Sequence, residues 1–520
     1  MITDTRRFRD RLSFRFLGIR YAAEPKRFTH SIPYFGSNNR ASATSYGSEC
    51  VQGNAGSEDC LFLNIWTPFL PHGDTSSRDL KPVMFWIHGG AFTSGTGNDP
   101  TVDGANIASR GDVVLVAINY RLGSFGFLAL DDGATKGNYG FADQINALDW
   151  VRRNIQDFGG DPNRITVFGQ SAGAGSVRAL LASPKGKGKF HGAIPQSNLG
   201  GGGYGTTYSQ YLTIKEEVAL VGNAILADTN CTNAPSAVDC LRAVPASTLA
   251  NLADVARYLV VDGTYLTSDG LAFNNTEALR DVHILSGFMR DDGAAFITIV
   301  DTDNVTVSLT DDGFPASLIE SSGLFPTPGG LNGTLNVFNV SARVATDTIF
   351  RCIDQASVYA SMKFRTFAPD QYFYEFNRSY QTPGFDPNAP LCDAPITASH
   401  PYGDPSLEYF KCHSGELYFV FGNILSLGYH LRDENDLPFS QFVLDSWTSF
   451  ARTLNPNPDP GYLKARRYSN TLGEIQAAGP WLPVNGDNLL VRELEWPSKH
   501  IPFRDVEQCA LLGWPIDYFT

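Results

Sequence analysis

The sequence predicts an α/β protein with a mostly parallel central sheet flanked by helices. Three observations carry that reading. Val83-Met84-Phe85-Trp86-Ile87 and Val113-Val114-Leu115-Val116-Ala117-Ile118 are continuous apolar runs, and Ile165-Thr166-Val167-Phe168 is nearly so. Short runs of this kind suit strands buried on both faces. Residues 142–155 instead show helical spacing, with Ile145, Leu148, Trp150, Val151 and Ile155 apolar. Strand and helix therefore alternate through the first 200 residues, the pattern of a doubly wound sheet.

The elements follow in order. The helix of 142–155 should end near Gly159-Gly160. Val282-His283-Ile284-Leu285 is a later strand candidate, and Gln371-Tyr372-Phe373-Tyr374-Glu375-Phe376 alternates with strand spacing. Residues 200–280, 297–345 and 377–412 are rich in Gly, Pro, Asn, Asp and Thr. They are expected to be cap or insert segments of one domain covering 1–520, placed over the carboxyl ends of the strands. Gly200-Gly201-Gly202-Gly203 has no following Lys-Ser/Thr and so does not read as a phosphate loop.

Composition narrows the class. Among the 520 residues the formal net charge is −14, which argues against nucleic acid and anionic membranes as partners. The basic patches Arg6-Arg7-Phe8-Arg9 and Lys185-Gly186-Lys187-Gly188-Lys189 are short. No run approaches the roughly eighteen apolar residues of a membrane helix. Met1-Ile2-Thr3-Asp4-Thr5-Arg6 lacks the apolar region of a signal peptide, so none is expected within this sequence. Eight cysteines form no CxxC pair and no Cys/His cluster of zinc spacing. Cys50/Cys60 and Cys231/Cys240 are close pairs in turn-rich sequence, which fits short disulfide loops in an oxidising compartment. Asn-x-Ser/Thr occurs at Asn230, Asn274, Asn304, Asn332, Asn339 and Asn377. Glycosylation there would make the chain a glycoprotein secreted by a eukaryote.

The chemistry centres on Gly169-Gln170-Ser171-Ala172-Gly173, directly after the strand of 165–168. Gly-x-Ser-x-Gly between strand and helix is the nucleophile elbow of an α/β-hydrolase fold. The flanking glycines leave room for close backbone packing, and the helix N-terminus favours developing negative charge. A serine nucleophile needs a base, and the base an orienting acid, in the chain order Ser, acid, His. The histidines downstream are His191, His283, His400, His413, His430 and His500. His283 sits inside an apolar strand, and His191 is too close to the elbow. His413 lies in the polar stretch Cys412-His413-Ser414-Gly415-Glu416, a loop expected beyond the last strands. Asp291 and Asp292 both follow the strand of 282–285, and either could be the acid. Oxyanion donors should be the backbone N–H of Ala172 and those of His88-Gly89-Gly90-Ala91-Phe92, the turn after an early strand.

These segments resemble the type-B carboxylesterase/lipase family of cholinesterase-like and fungal lipase-like enzymes. Glu58-Asp59-Cys60-Leu61-Phe62-Leu63-Asn64-Ile65-Trp66, His88-Gly89-Gly90-Ala91-Phe92, Asn119-Tyr120-Arg121-Leu122-Gly123, Gly137-Asn138-Tyr139-Gly140 and Phe158-Gly159-Gly160-Asp161-Pro162 match its motifs in order. So do residues 287–293 and the two stretches His413-Ser414-Gly415-Glu416 and Phe419-Val420-Phe421-Gly422. The likeness runs from about Phe16 to about Trp514. It implies a triad of Ser171, Asp292 and His413, choosing Asp292 over Asp291. It implies oxyanion donors at Gly90, Ala91 and Ala172. It also pairs Cys50 with Cys60 and Cys231 with Cys240. Cys352 with Cys509, and Cys392 with Cys412, are the remaining expected pairs.

Three departures bear on function. The acid is Asp292 where the family usually has Glu. Gln170 replaces the usual Glu before the nucleophile, which removes a negative charge beside the serine. The loop between Cys50 and Cys60 has only nine residues, whereas the family's lipases use a long loop here as a lid. The resemblance therefore implies a secreted serine carboxylesterase acting on soluble or short- to medium-acyl esters, without metal or organic cofactor. A lipase or sterol esterase, an aryl (feruloyl-type) esterase and a non-catalytic binding member are the alternatives.

Overall fold

Strand formation follows where apolar side chains can be buried on both sides of the backbone. The computed structural model describes residues 12–36, 42–73, 75–201, 208–274, 279–330, 332–383, 385–486 and 489–520. The Arg6-Arg7-Phe8-Arg9 patch, the first six residues and Gly202-Gly203 lie outside them. Two compact units divide the chain. The first comprises 1–195, 206–272 and 451–454, the second 196–205, 273–450 and 455–520.

In the first unit the strands are β1 (Phe14–Arg20), β2 (Phe62–Thr67), β3 (Lys81–Ile87), β4 (Val114–Ile118), β5 (Gly160–Gln170) and β6 (Gly192–Gln196). Their order is β1-β2-β4-β3-β5-β6. β1 and β2 pair antiparallel, as do β2 and β4, while β4-β3 and β3-β5 are parallel. All five residues of β4 are buried, as the apolar run requires. A parallel pair needs a crossover, and the helix Tyr139–Asn154 supplies one between β4 and β5. It begins three residues before the expected 142 and passes into a 3₁₀ turn, Ile155–Phe158, closed by Gly159 at φ 82°. β5 is longer than the apolar run that announced it. Its first half, Asp161-Pro162-Asn163-Arg164, is polar and gave no apolar signal, and an Arg164–Asp161 ion pair occupies it. A separate two-stranded parallel ribbon joins β7 (Leu212–Thr213) and β8 (Val260–Val261).

The second unit holds β9 (His283–Met289), β10 (Gln371–Phe376), β11 (Leu490–Leu494) and β12 (Lys499–Pro502). β9-β10 and β10-β11 are parallel and β11-β12 antiparallel. All six β10 residues are buried, so its alternation does not mark one wet face. Gln371 and Glu375 find partners inside. The Ser361 hydroxyl donates to Gln371 Oε1 at 2.6 Å, and Glu375 faces Arg351 at 3.5 Å and Arg504 at 3.4 Å. Segment 297–345 is largely helical, with Val305–Asp311, Ala316–Ser322 and the start of Gly333–Thr346. All eight cysteines are joined, as Cys50–Cys60, Cys231–Cys240, Cys352–Cys509 and Cys392–Cys412. Among the described residues no helix is long and apolar enough to cross a membrane.

Candidate active site

Ser171 sits between the end of β5 and the helix Ala172–Ala182, at φ 59° and ψ −124°. A non-glycine residue there carries backbone strain, which persists only if its surroundings enforce it. They do so by proximity. A Cβ on Gly173 would stand 2.1 Å from the Ile87 carbonyl oxygen, so only glycine lets the helix meet β3 this closely. The Ser171 carbonyl is fixed as well, since Gly175 N–H donates to it at 2.9 Å.

The turn after β3 lies against the elbow: a Cβ on Gly89 would be 3.1 Å from Ser171 Cβ. Gly90, Ala91 and Phe92 run consecutively at φ 103°, 56° and 60°. Three successive residues of positive φ fold the backbone into an unusual turn, and it is braced from behind. The His88 ring stacks on Tyr120 at 4.3 Å, and the Tyr120 hydroxyl donates to the His88 carbonyl at 2.9 Å. Burial pulls the His88 imidazole down to about 4, so it is neutral at pH 7. Its Nδ1–H donates to the Gly89 carbonyl at 2.8 Å.

In the second unit, Asp292 and His413 meet. His413 Nδ1 lies 2.6 Å from Asp292 Oδ1, and both side chains are fully buried. Met289 N–H donates to the other carboxylate oxygen at 2.8 Å, so both oxygens are held. The imidazole is penned by Phe296, Phe350 and Phe385, with ring centroids at 4.9, 5.2 and 5.2 Å. Its own carbonyl accepts from Gln381 Nε2 at 3.0 Å. The His413 loop follows β10, with β11 and β12 still to come, and so does not lie beyond the last strands. β11 and β12 carry charged residues such as Arg492, Glu493 and Lys499, which masked them as strands.

Asp291 has a different occupation. Arg290 donates to its Oδ2 at 2.9 and 2.7 Å, and Lys411 N–H at 2.8 Å. Burial would raise this carboxyl, but the Arg290 charge outweighs it and holds the group below the usual range. The other histidines are placed elsewhere: His283 opens β9, while His400 faces Asp404 at 3.1 Å. Reading the residues alone did not bring out the three phenylalanines around His413, which looked like ordinary core. Glu416 was also missed as a buried acid. Its Oε1 accepts from Gln196 Nε2 at 3.1 Å, and burial, with the Asp292 charge second, pushes it up to about 8.

The first unit thus holds a strained serine at a helix N-terminus beside a braced glycine turn, and the second holds a buried Asp–His pair. The model of the carboxylesterase family matches residues 5–322. The chain belongs to the carboxylesterase family. It is 30% identical to human carboxylesterase 5A over 482 residues, covering 85% of this chain and 78% of that protein. It is 33% identical to para-nitrobenzyl esterase of Bacillus subtilis (strain 168) over 450 residues, 80% of this chain and 81% of that one. A solved PNB esterase structure superposes with a TM-score of 0.70 at 27% identity, covering 96% of each chain. This carboxylesterase thus has the α/β-hydrolase fold and is a carboxylic ester hydrolase.

Proposed function

We propose that this carboxylesterase hydrolyses small-molecule esters by two-step acyl transfer with Ser171 as nucleophile, His413 as base and Asp292 as orienting acid. The observation that carries the reading is the buried 2.6 Å hydrogen bond between Asp292 and His413. A carboxylate on Nδ1 keeps Nε2 as the proton acceptor and stabilises the imidazolium that forms. His413 takes the Ser171 proton as Ser171 attacks the ester carbonyl. The N–H groups of Gly90, Ala91 and Ala172 hold the oxyanion. The alcohol leaves with the proton from His413, and water then cleaves the acyl-enzyme by the same path.

The substrates are soluble or short- to medium-acyl esters, because the nine-residue Cys50–Cys60 loop is too short for a broad lid. Four disulfides support secretion into an oxidising compartment. Hydrolysis of p-nitrophenyl esters from acetate to palmitate, by wild type and Ser171→Ala, tests the reading. The wild type should be fastest on short chains, and the variant should lose about 10⁴-fold or more in kcat. A maximum on palmitate above its solubility limit would make the enzyme a lipase. Equal rates for the two proteins would remove Ser171 from the reaction.

A further inference from the structure

The six Asn-x-Ser/Thr sites differ in what their side chains are already doing. Asn304 and Asn332 cap helices through Oδ1, accepting from Thr306 N–H at 2.9 Å and Leu335 N–H at 2.8 Å. Both are exposed, and capping through the oxygen leaves the amide nitrogen available. Asn377 is the opposite case. Its Nδ2 donates to Glu493 at 3.2 Å and Glu495 at 3.1 Å, while its Oδ1 accepts from Arg290. A sugar on that nitrogen would break both carboxylate bonds.

Asn339 stands apart because it lines a cavity of about 690 Å³ within the second unit, whose lining does not include Asp292 or His413. Leu335, one turn earlier on the helix Gly333–Thr346, lines the same cavity, so this helix face is turned toward it. Val337, Phe338, Val340 and Ser341 are buried in the helix packing. Part of its lining is apolar and open to solvent. Ile396 is 77% exposed and Tyr402 is 52% exposed. The His430 ring stacks on Tyr402 at 3.9 Å and 19°. Exposed apolar surface gathered around a concavity marks a place where something binds.

We propose that Asn339 carries an N-linked glycan whose two proximal N-acetylglucosamine units lie in this cavity against Tyr402 and His430. The inference rests on the reading that the chain passes through a eukaryotic secretory route. In the transfer, a bond forms between Asn339 Nδ2 and C1 of the sugar. The C1–oxygen bond to a lipid-diphosphate carrier breaks, the carrier leaves, and Nδ2 gives up one proton. Ser341 is buried, with its hydroxyl 2.9 Å from that of Ser308, so transfer precedes folding of this helix. The apolar faces of the sugar rings then pack on the aromatic wall. Their polar groups reach lining residues such as Asp393.

The full chain secreted from yeast, peptide-mapped by mass spectrometry, tests this. The Asn339 peptide should carry hexosamine and the Asn377 peptide none. With native protein, an amidase that removes N-glycans should release the Asn339 glycan about tenfold more slowly than that on Asn304, a seat worth one aromatic contact or so. Tyr402→Ala with His430→Ala should erase the difference. A bare Asn339, or release as fast as from Asn304, overturns the proposal. If Asn339 is bare while all four disulfides have formed and Asn304 is modified, only this inference fails. If every site is bare and the cysteines are reduced, the secretory reading fails with it.

Discussion

Asp291 and Asp292 are neighbours with opposite employment. One carboxylate neutralises Arg290; the other holds an imidazole. Asp292→Asn should lower kcat about 10³–10⁴-fold, because an amide can hold the wrong imidazole tautomer. Asp291→Asn leaves the Arg290 charge short of a partner and should destabilise the fold by about 3 kcal/mol. Its kcat should stay within about tenfold of wild type. Steady-state kinetics and urea melts on the two variants check both outcomes. Glu416 allows a test by pH. Its carboxyl is pushed up to about 8 in the folded state, whereas the unfolded chain loses that proton near 4.5. Between those values the native state holds the extra proton, so the Glu416 contribution to stability falls as pH rises. Glu416→Gln should flatten the stability profile from pH 5 to 8 relative to wild type, as thermal melts across that range would report. The sharp turn at Ser171 and a pairing of His413 with an acid after the strand of 282–285 were legible in the sequence, because the chemistry allows few residue types and a set chain order. Asp292 could not be separated from Asp291 on residue type, and it took the family likeness to choose. Phe296, Phe350 and Phe385 were illegible, since an aromatic beside a base and an aromatic in a core look alike in one dimension.

At the scale of elements, the elbow depends on how closely a helix approaches a strand. Gly173→Ala places a methyl group 2.1 Å from the Ile87 carbonyl, which backbone must move to relieve. We expect a loss of about 3 kcal/mol or more, with little soluble protein, because buried backbone has no flexible end to yield. Expression yield and circular dichroism would report it, and a folded, fully active variant would show that β3 and the helix are not tightly seated. Strands buried on both faces were legible as β3 and β4, where burial demands apolar residues without interruption. β10 was found, although its exposure was not. Its alternation fits strand spacing, yet Gln371 and Glu375 are buried with partners. β11 and β12 escaped because Arg492, Glu493 and Lys499 interrupt any apolar pattern.

At the scale of the whole chain, covalent ties hold what short-range packing does not. Cys352 and Cys509 are 157 positions apart, so their bond closes the longest loop of the four. In the chain-entropy account such a closure is worth about 5 kcal/mol. That is a large part of a typical domain's stability. Replacing both with Ser should move the urea midpoint far more than replacing Cys50 and Cys60, whose loop is short. Equal midpoints would mean that the unfolded chain is already compact there. The Cys392–Cys412 bond lies inside that long loop and ends one residue before His413. A peptide bond cut at exposed Tyr402 or Ile396 would therefore separate no fragment, because two bridges span the nick. The clipped protein would run as one band on a denaturing gel until a thiol was added, and then fall into two pieces. The loop carrying His413 thus keeps its anchorage to the chain after a single cut there.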